Sequence, residues 1–351
     1  MGMAAQEGTL GERRASVLKA IVSHYVTSGE PVGSKTIVER YQLGVSPATV
    51  RNEMGALEEA GYIFQPHTSA GRIPTDAGYR YFVDAGVPPF KLPVSEARKV
   101  QRFFGEPRYE LEDALRQTAA LLSGITDHAA VVFAPALERS VVRHVELVPL
   151  AGSRAMVVLV TNTGRVENHI VGVPQDVDEV QLDRAAEMLN RLIVDQPLDK
   201  VPAQIQSASE KFPLELRVVV DEVRRALEDD LTHHDAERMF LDGTSNIVHE
   251  EKFSDLETVR QVIGALEHRR LLLETLADAL STTSVSVRIG SENALEEMQF
   301  CSVVTASYGT EDQSLGSLGV VGPTRMDYRR TIAAVHEVAS NLGRMLSGLG
   351  I

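Results

Sequence analysis

Along residues 12–28 the apolar positions Val17, Leu18, Ile21, Val22 and Tyr25 fall at helical spacing, and Gly29 closes the run. The pattern predicts an amphipathic core helix. Glu30-Pro31-Val32-Gly33 interrupts it, after which Ser34 can cap a short helix whose Ile37, Val38 and Tyr41 share a face. Leu43-Gly44-Val45 reads as a turn, with Gly44 suited to positive φ. Ser46-Pro47 supplies an N-cap and a first-turn proline for a third helix over residues 47–60, stopped by Gly61. Val50, Met54 and Leu57 repeat at i, i+4 and i+7 and should pack inward. Three helices with a tight turn between the second and third make a helix-turn-helix.

The opposite side of the third helix carries Ala48, Thr49, Arg51 and Asn52 near its N-terminal end. A recognition helix needs short polar and bidentate donors there, because Arg can grip guanine and Asn adenine in the major groove. Alone, that face is equally an ordinary solvated one. The next segment tips the balance. Tyr62-Ile63-Phe64 reads as a strand, His67-Thr68-Ser69-Ala70-Gly71-Arg72 as a loop tip and Ile73-Pro74 as the return, before Thr75 caps a helix with Tyr79, Tyr81, Phe82 and Val83. Strand, polar loop and return strand make a wing that can press on backbone or minor groove. The bland alternatives are a hydrogen-bonded surface His67 and an ion-paired Arg72. The predicted DNA contacts are Ser46, Ala48, Thr49, Arg51, Asn52, His67, Ser69 and Arg72. Arg51 and Asn52 are assigned to base edges, and Ser46, Thr49 and Arg72 to the backbone.

Three prolines in residues 84–94 predict a linker. Helices are expected over 98–104 and 110–123, then strands over 130–134, 141–150, 155–161 and 166–173, the last two joined by an Asn162-Thr163-Gly164 hairpin turn. A helical region follows over 177–231 and another over 256–280. Strands return at 285–289, 300–307 and 316–321, and residues 327–346 close as a helix. This order gives an α+β domain carrying an insertion. The expected division is a winged-helix domain at 1–86, a linker at 87–97, the α+β domain at 98–351 and an inserted, largely helical segment at about 175–240.

The run Arg13-Arg14, then EPVGSKTIVERY, then VSPATVRNEMGALEEAGYIFQPHTSAGRIPTDAGYRYFVD resembles the heat-inducible transcription repressor family HrcA. The resemblance implies a GAF-like body with an inserted dimerisation segment. It further implies a homodimer that represses chaperone operons such as grpE-dnaK-dnaJ and groELS through an upstream inverted repeat, a CIRCE-type operator. Regulation by a GroEL-type chaperonin is also implied, with heat-denatured clients relieving repression by competing for it.

A formal net charge of -14, taken whole, argues against DNA. Its distribution answers the objection: residues 11–83 hold 8 Lys/Arg against 7 Asp/Glu, whereas residues 84–351 hold 27 against 41. The acidic body repels phosphate and disfavours non-specific binding. The lone Cys301 excludes an intrachain disulfide and a cysteine zinc cluster, fits a reduced compartment, and in its apolar run reads as an inert buried thiol. No stretch approaches the roughly 20 apolar residues of a membrane span, and the N-terminus lacks a signal-peptide core, so the expected location is the cytoplasm. His233-His234-Asp235-Ala236-Glu237 lacks the spacing of a metal site and reads as a solvated turn. The glycines of residues 316–322 do not have dinucleotide-binding spacing, and no nucleophile elbow occurs. No catalytic residue, metal or cofactor is therefore expected. The competing reading is a ligand-responsive regulator with a small molecule in its GAF-like pocket; an enzyme with an appended DNA reader ranks third.

Overall fold

The computed structural model describes residues 10–68, 70–85, 91–106, 110–135, 140–162, 164–233, 239–249, 260, 262–264, 266, 285–309 and 314–348. Three helices open the chain: α1 (Glu12–Ser28), α2 (Ser34–Tyr41) and α3 (Pro47–Glu59). Gly29 ends α1 at φ 74°, and Gly44 sits in the turn before α3 at φ 66°. Ser46 caps α3 by accepting the Thr49 amide at 3.2 Å, with Pro47 in the first turn. Strands β1 (Ile63–Phe64) and β2 (Ile73–Pro74) form the wing, and α4 (Asp76–Asp84) follows with Thr75 as its cap. Val17, Leu18, Ile21, Ile37, Val50, Leu57 and Ile63 are buried together beneath these elements. Truncating Leu57 to Ala would cost about 2–5 kcal/mol by the cavity it leaves.

Helix α5 (Val94–Gly105) begins directly after Pro93. The expected linker at 87–97 is therefore shorter, because residues 94–97 already belong to an amphipathic helix that buries Val100; residues 86–90 lie outside the described ones.

The body is a five-stranded antiparallel sheet. Its strands are β3 (Ala129–Phe133), β7 (Met239–Asp242), β8 (Ser286–Ile289), β9 (Cys301–Gly309) and β10 (Ser314–Pro323), in the order β7-β3-β10-β9-β8. Every residue of β3 is buried, as in a strand covered on both faces. Helices α6 (Leu111–Thr126) and α11 (Tyr328–Gly348) pack on one face, and α10 (Thr244–His249) with Val262 and Leu266 on the other. The arrangement is the expected GAF-like α+β fold, and its core continues without a break into that of the winged helix. Cys301 is buried, as expected.

Strands β4 (Val142–Leu150), β5 (Arg154–Thr161) and β6 (Val166–Gly172) do not join this sheet. They form a second one, in that order, and helices α7 (Glu179–Ile193), α8 (Val201–Ser207) and α9 (Arg217–His233) cover one of its sides. The unit has its own core, from Val142 to Leu227, and lies in sequence between β3 and β7, which pair with each other. The insertion expected at about 175–240 thus starts more than thirty residues too late and includes a sheet. Alternation reveals that one face of a strand is buried but not against which sheet it pairs, so these strands are indistinguishable in sequence from those of the body. The single helical region expected over 177–231 is three helices, broken around Pro197 and Pro213, where the backbone cannot continue α-helical pairing. The hairpin expected at Asn162-Thr163-Gly164 joins β5 to β6, with Gly164 at φ 74° and Thr163 outside the described residues. Most of the helix expected over 256–280, and His234 to Glu237 of the polar cluster, also lie outside them.

Candidate nucleic-acid interface

Helix α3 buries Val50, Met54 and Leu57 and turns Ala48, Arg51 and Asn52 outward, all three exposed. Ser46 is exposed and Thr49 half-buried, and their hydroxyls bond each other at 3.0 Å. Both therefore organise the start of α3 as well as lining it. Arg51 takes part in no ion pair among the described residues, so its five donors remain available to a ligand. Arg14 of α1 reaches the other side of α3, pairing with Glu53 at 3.1 Å.

The wing lies beside this face. His67 and Thr68 are exposed at its tip, and Ser69 lies outside the described residues. Gln65 shapes the loop from within, its amide donating to the carbonyls of Thr68 at 3.0 Å and Ala70 at 2.8 Å. Gly71 is required by a close approach: a Cβ there would collide with the backbone of Val32, to which Arg72 is joined by a pair of backbone hydrogen bonds of 2.9 and 3.0 Å. The guanidinium of Arg72 is held by Glu58 of α3 at 2.8 Å, so it ties the wing to the recognition helix.

Between the N-terminus of α2, the middle of α3 and the wing lies an open cleft of about 540 Å³, with Lys35, Arg51, Gln65 and Arg72 in its walls. Lys35 is exposed one residue into α2, where ammonium and free backbone amides both favour an anion. The structure thus brings Ser46, Ala48, Thr49, Arg51, Asn52 and Arg72 to one end of the domain, with His67 at the wing tip. Sequence reasoning missed Lys35 and Gln65. Lys35 directly follows Ser34, which was expected to cap α2 but is its first residue, with Gly33 at the cap position and no side-chain cap bond; that helix start was readable, whereas the role of Gln65 depends on the loop's conformation and was not. Near the base of the domain His24 is buried against Tyr41, ring edge to face at 6.3 Å. Desolvation, then the nearby Arg40 charge, holds its pKa below the usual imidazole value against an opposing pull from Glu30.

Residues 112–332 match the family described as the HrcA protein C terminal domain. The chain is 47% identical over 340 residues to the heat-inducible transcription repressor HrcA of Streptomyces avermitilis, covering 96% of this chain and 99% of that one. It is 42% identical over 346 residues to the protein of the same name from Thermobifida fusca, covering 99% and 100%. A crystal structure described only as that of a hypothetical protein superposes with a TM-score of 0.61 over 97% of this chain and 98% of the other, at 23% identity, and so shares the fold. No helix among the described residues is long and apolar enough to cross a membrane. The chain therefore belongs to the heat-inducible transcription repressor family HrcA, whose members are named as regulators of transcription and not as enzymes.

Proposed function

We infer that the chain is a homodimeric repressor that binds an inverted repeat upstream of chaperone operons such as grpE-dnaK-dnaJ and groELS, and that a GroEL-type chaperonin maintains its active form in the cytoplasm. The observation that carries DNA reading is the outward face of α3, with Arg51 and Asn52 exposed beside a wing fastened to the same helix. Base edges fall to Arg51 and Asn52. Ser46, Ala48, Thr49, His67, Ser69 and Arg72 complete the surface, and Lys35 adds a phosphate contact from α2.

Dimerisation is supported by the insertion. The side of its sheet away from α7–α9 presents Val148, Met156, Val158, Val160, Val166 and Ile170, with Ile170 64% and Val166 55% exposed. His144, Glu146 and Asn168 share this side, so it is a largely apolar face with a polar strip; such a face marks an association surface, and a two-fold partner would match a palindromic operator. An unassembled monomer exposes this same face, the kind of surface a chaperonin captures. Two experiments test the reading. A gel shift should show the purified protein retarding the inverted repeat upstream of the chaperonin operon of its own genome. Refolding with and without GroEL should give more operator binding with it; equal recovery would remove the chaperonin from the account, and tight binding only elsewhere would remove the operator.

A further inference from the structure

Helix α4 is the last element of the reader, and it is fastened on two sides. On the reader side, the Thr75 hydroxyl donates to the Gly61 carbonyl at 2.6 Å and the Thr75 amide to the Tyr62 carbonyl at 3.1 Å. Gly78 packs so closely on Tyr62 that a Cβ would strike its carbonyl. The helix is thus rigidly joined to the segment between α3 and the wing. On the body side, the turn Gly290–Glu292 after β8 receives it. Asp76 accepts hydrogen bonds from both the amide and the hydroxyl of Ser291, each at 2.9 Å. Arg80 grips Glu292 with two nitrogens and donates to the Val287 carbonyl at 2.5 Å. Glu292 is itself fixed by the Ile289 amide at 2.8 Å. Gly290, at φ 53°, leaves no room for a side chain against the Asp76 carboxylate.

Around this polar contact lies an aromatic one. Tyr79 and Tyr328, both buried, lie with ring centroids 5.6 Å apart. Arg329 sits 4.8 Å over the Phe82 ring and Arg325 5.7 Å over that of Tyr25. The Tyr79 hydroxyl is buried without a hydrogen-bond partner among the described residues, while that of Tyr328 bonds Ser302 at 2.7 Å and Thr324 at 2.6 Å. The apolar and stacking contacts hold the two units together with little directional demand. The bidentate Arg80–Glu292 pair and the paired bonds of Asp76 to Ser291 set the angle.

We propose that Asp76 and Arg80 are positioning residues for operator recognition, fixing the reader on the body so that the two α3 helices of a dimer meet half-sites at one separation. This rests on the dimeric reading above. The latch would touch no DNA; it would act by making the second half-site contact intramolecular at one geometry, which raises the effective concentration only when the spacing fits.

The test uses the full chain, the inverted repeat upstream of the chaperonin operon, a single half-site, and inverted repeats with the spacer lengthened by about five base pairs, roughly half a helical turn. Two double variants are compared with the unaltered protein: Asp76→Ala/Arg80→Ala on the reader, and Ser291→Ala/Glu292→Ala on the body, which leaves the reader's sequence intact. The unaltered chain should discriminate against the altered spacing by about tenfold or more. Both variants should keep half-site affinity within about twofold while discrimination falls to about threefold or less. A body-side variant with the original spacing preference overturns the proposal, because any reader-side effect would then come from damage to the reader itself. Failure of the unaltered protein to prefer two half-sites over one overturns the dimeric reading and this proposal together. The two failures are thus distinguishable.

Discussion

Helix α3 and the sheet of the insertion each have one side sealed by a core and one left open, yet the open sides are opposite in chemistry. Helix α3 buries Val50, Met54 and Leu57 and shows Ala48, Arg51 and Asn52. The sheet buries Val145, Leu147, Val157 and Leu159 and shows mainly Val148, Met156, Val158, Val160, Val166 and Ile170, with His144, Glu146 and Asn168 among them. A polar face is content in water and gains from a ligand only through directed hydrogen bonds. An apolar face gains from any well-shaped cover. On the proposed reading the first meets a partner that must be discriminated and the second one that must only be held. In a two-headed repressor both are needed, since each weak reader relies on the other for affinity.

Breaking the holding face should therefore have the largest effect. Replacing Val158 with Lys, or Ile170 with Glu, places a charge where association would bury it. The expected outcome is a monomer in sedimentation, with affinity for the two-site operator reduced by about 10²-fold or more and single half-site affinity unchanged. A charged variant that remains dimeric would move the interface elsewhere.

Next comes the discriminating face. Arg51→Ala should cost about 1–3 kcal/mol at the operator and relax base choice at one position, with little change on random DNA. An equal loss on both would make Arg51 a phosphate contact. Arg72 should behave differently because Glu58 occupies its guanidinium. Arg72→Ala and Glu58→Ala should both weaken specific and random DNA by similar factors and lower the reader's stability by no more than about 1 kcal/mol, the ordinary range of a partly exposed pair. Loss confined to Arg72→Ala would show that the arginine leaves Glu58 to meet DNA.

Much of this was legible along the chain. Ser46-Pro47 marks the start of α3 because capping and proline geometry are local, and Asn162-Thr163-Gly164 marks its hairpin for the same reason. An ion pair at Arg72 was only one of two readings, and its partner Glu58 was not legible, since 14 positions separate them and a turn must bring them together. Arg80 and Glu292 stand 212 positions apart, and nothing local joins them. The second sheet escaped for a related reason. The pattern of alternation in β4–β6 states that a face is buried, whereas the identity of its cover is a property of topology.

The smallest expected effect separates the two regions by their response to acid. His24 lies within the reader, on α1 and buried against Tyr41, with its pKa depressed first by desolvation and then by Arg40. The folded reader thus binds this proton less readily than the unfolded chain, so His24 contributes its full stability above the unfolded imidazole value of about 6.5. That contribution is lost as pH falls from there through the lower folded-state pKa. His24→Gln should flatten this part of the profile: the gap in thermal midpoint between the wild type and the variant should shift against the wild type on moving from pH 7.5 to pH 5.5. The dimer contact proposed for the insertion should show no such dependence on His24. A gap between the two proteins that stays constant across that range would mean that His24 titrates alike folded and unfolded.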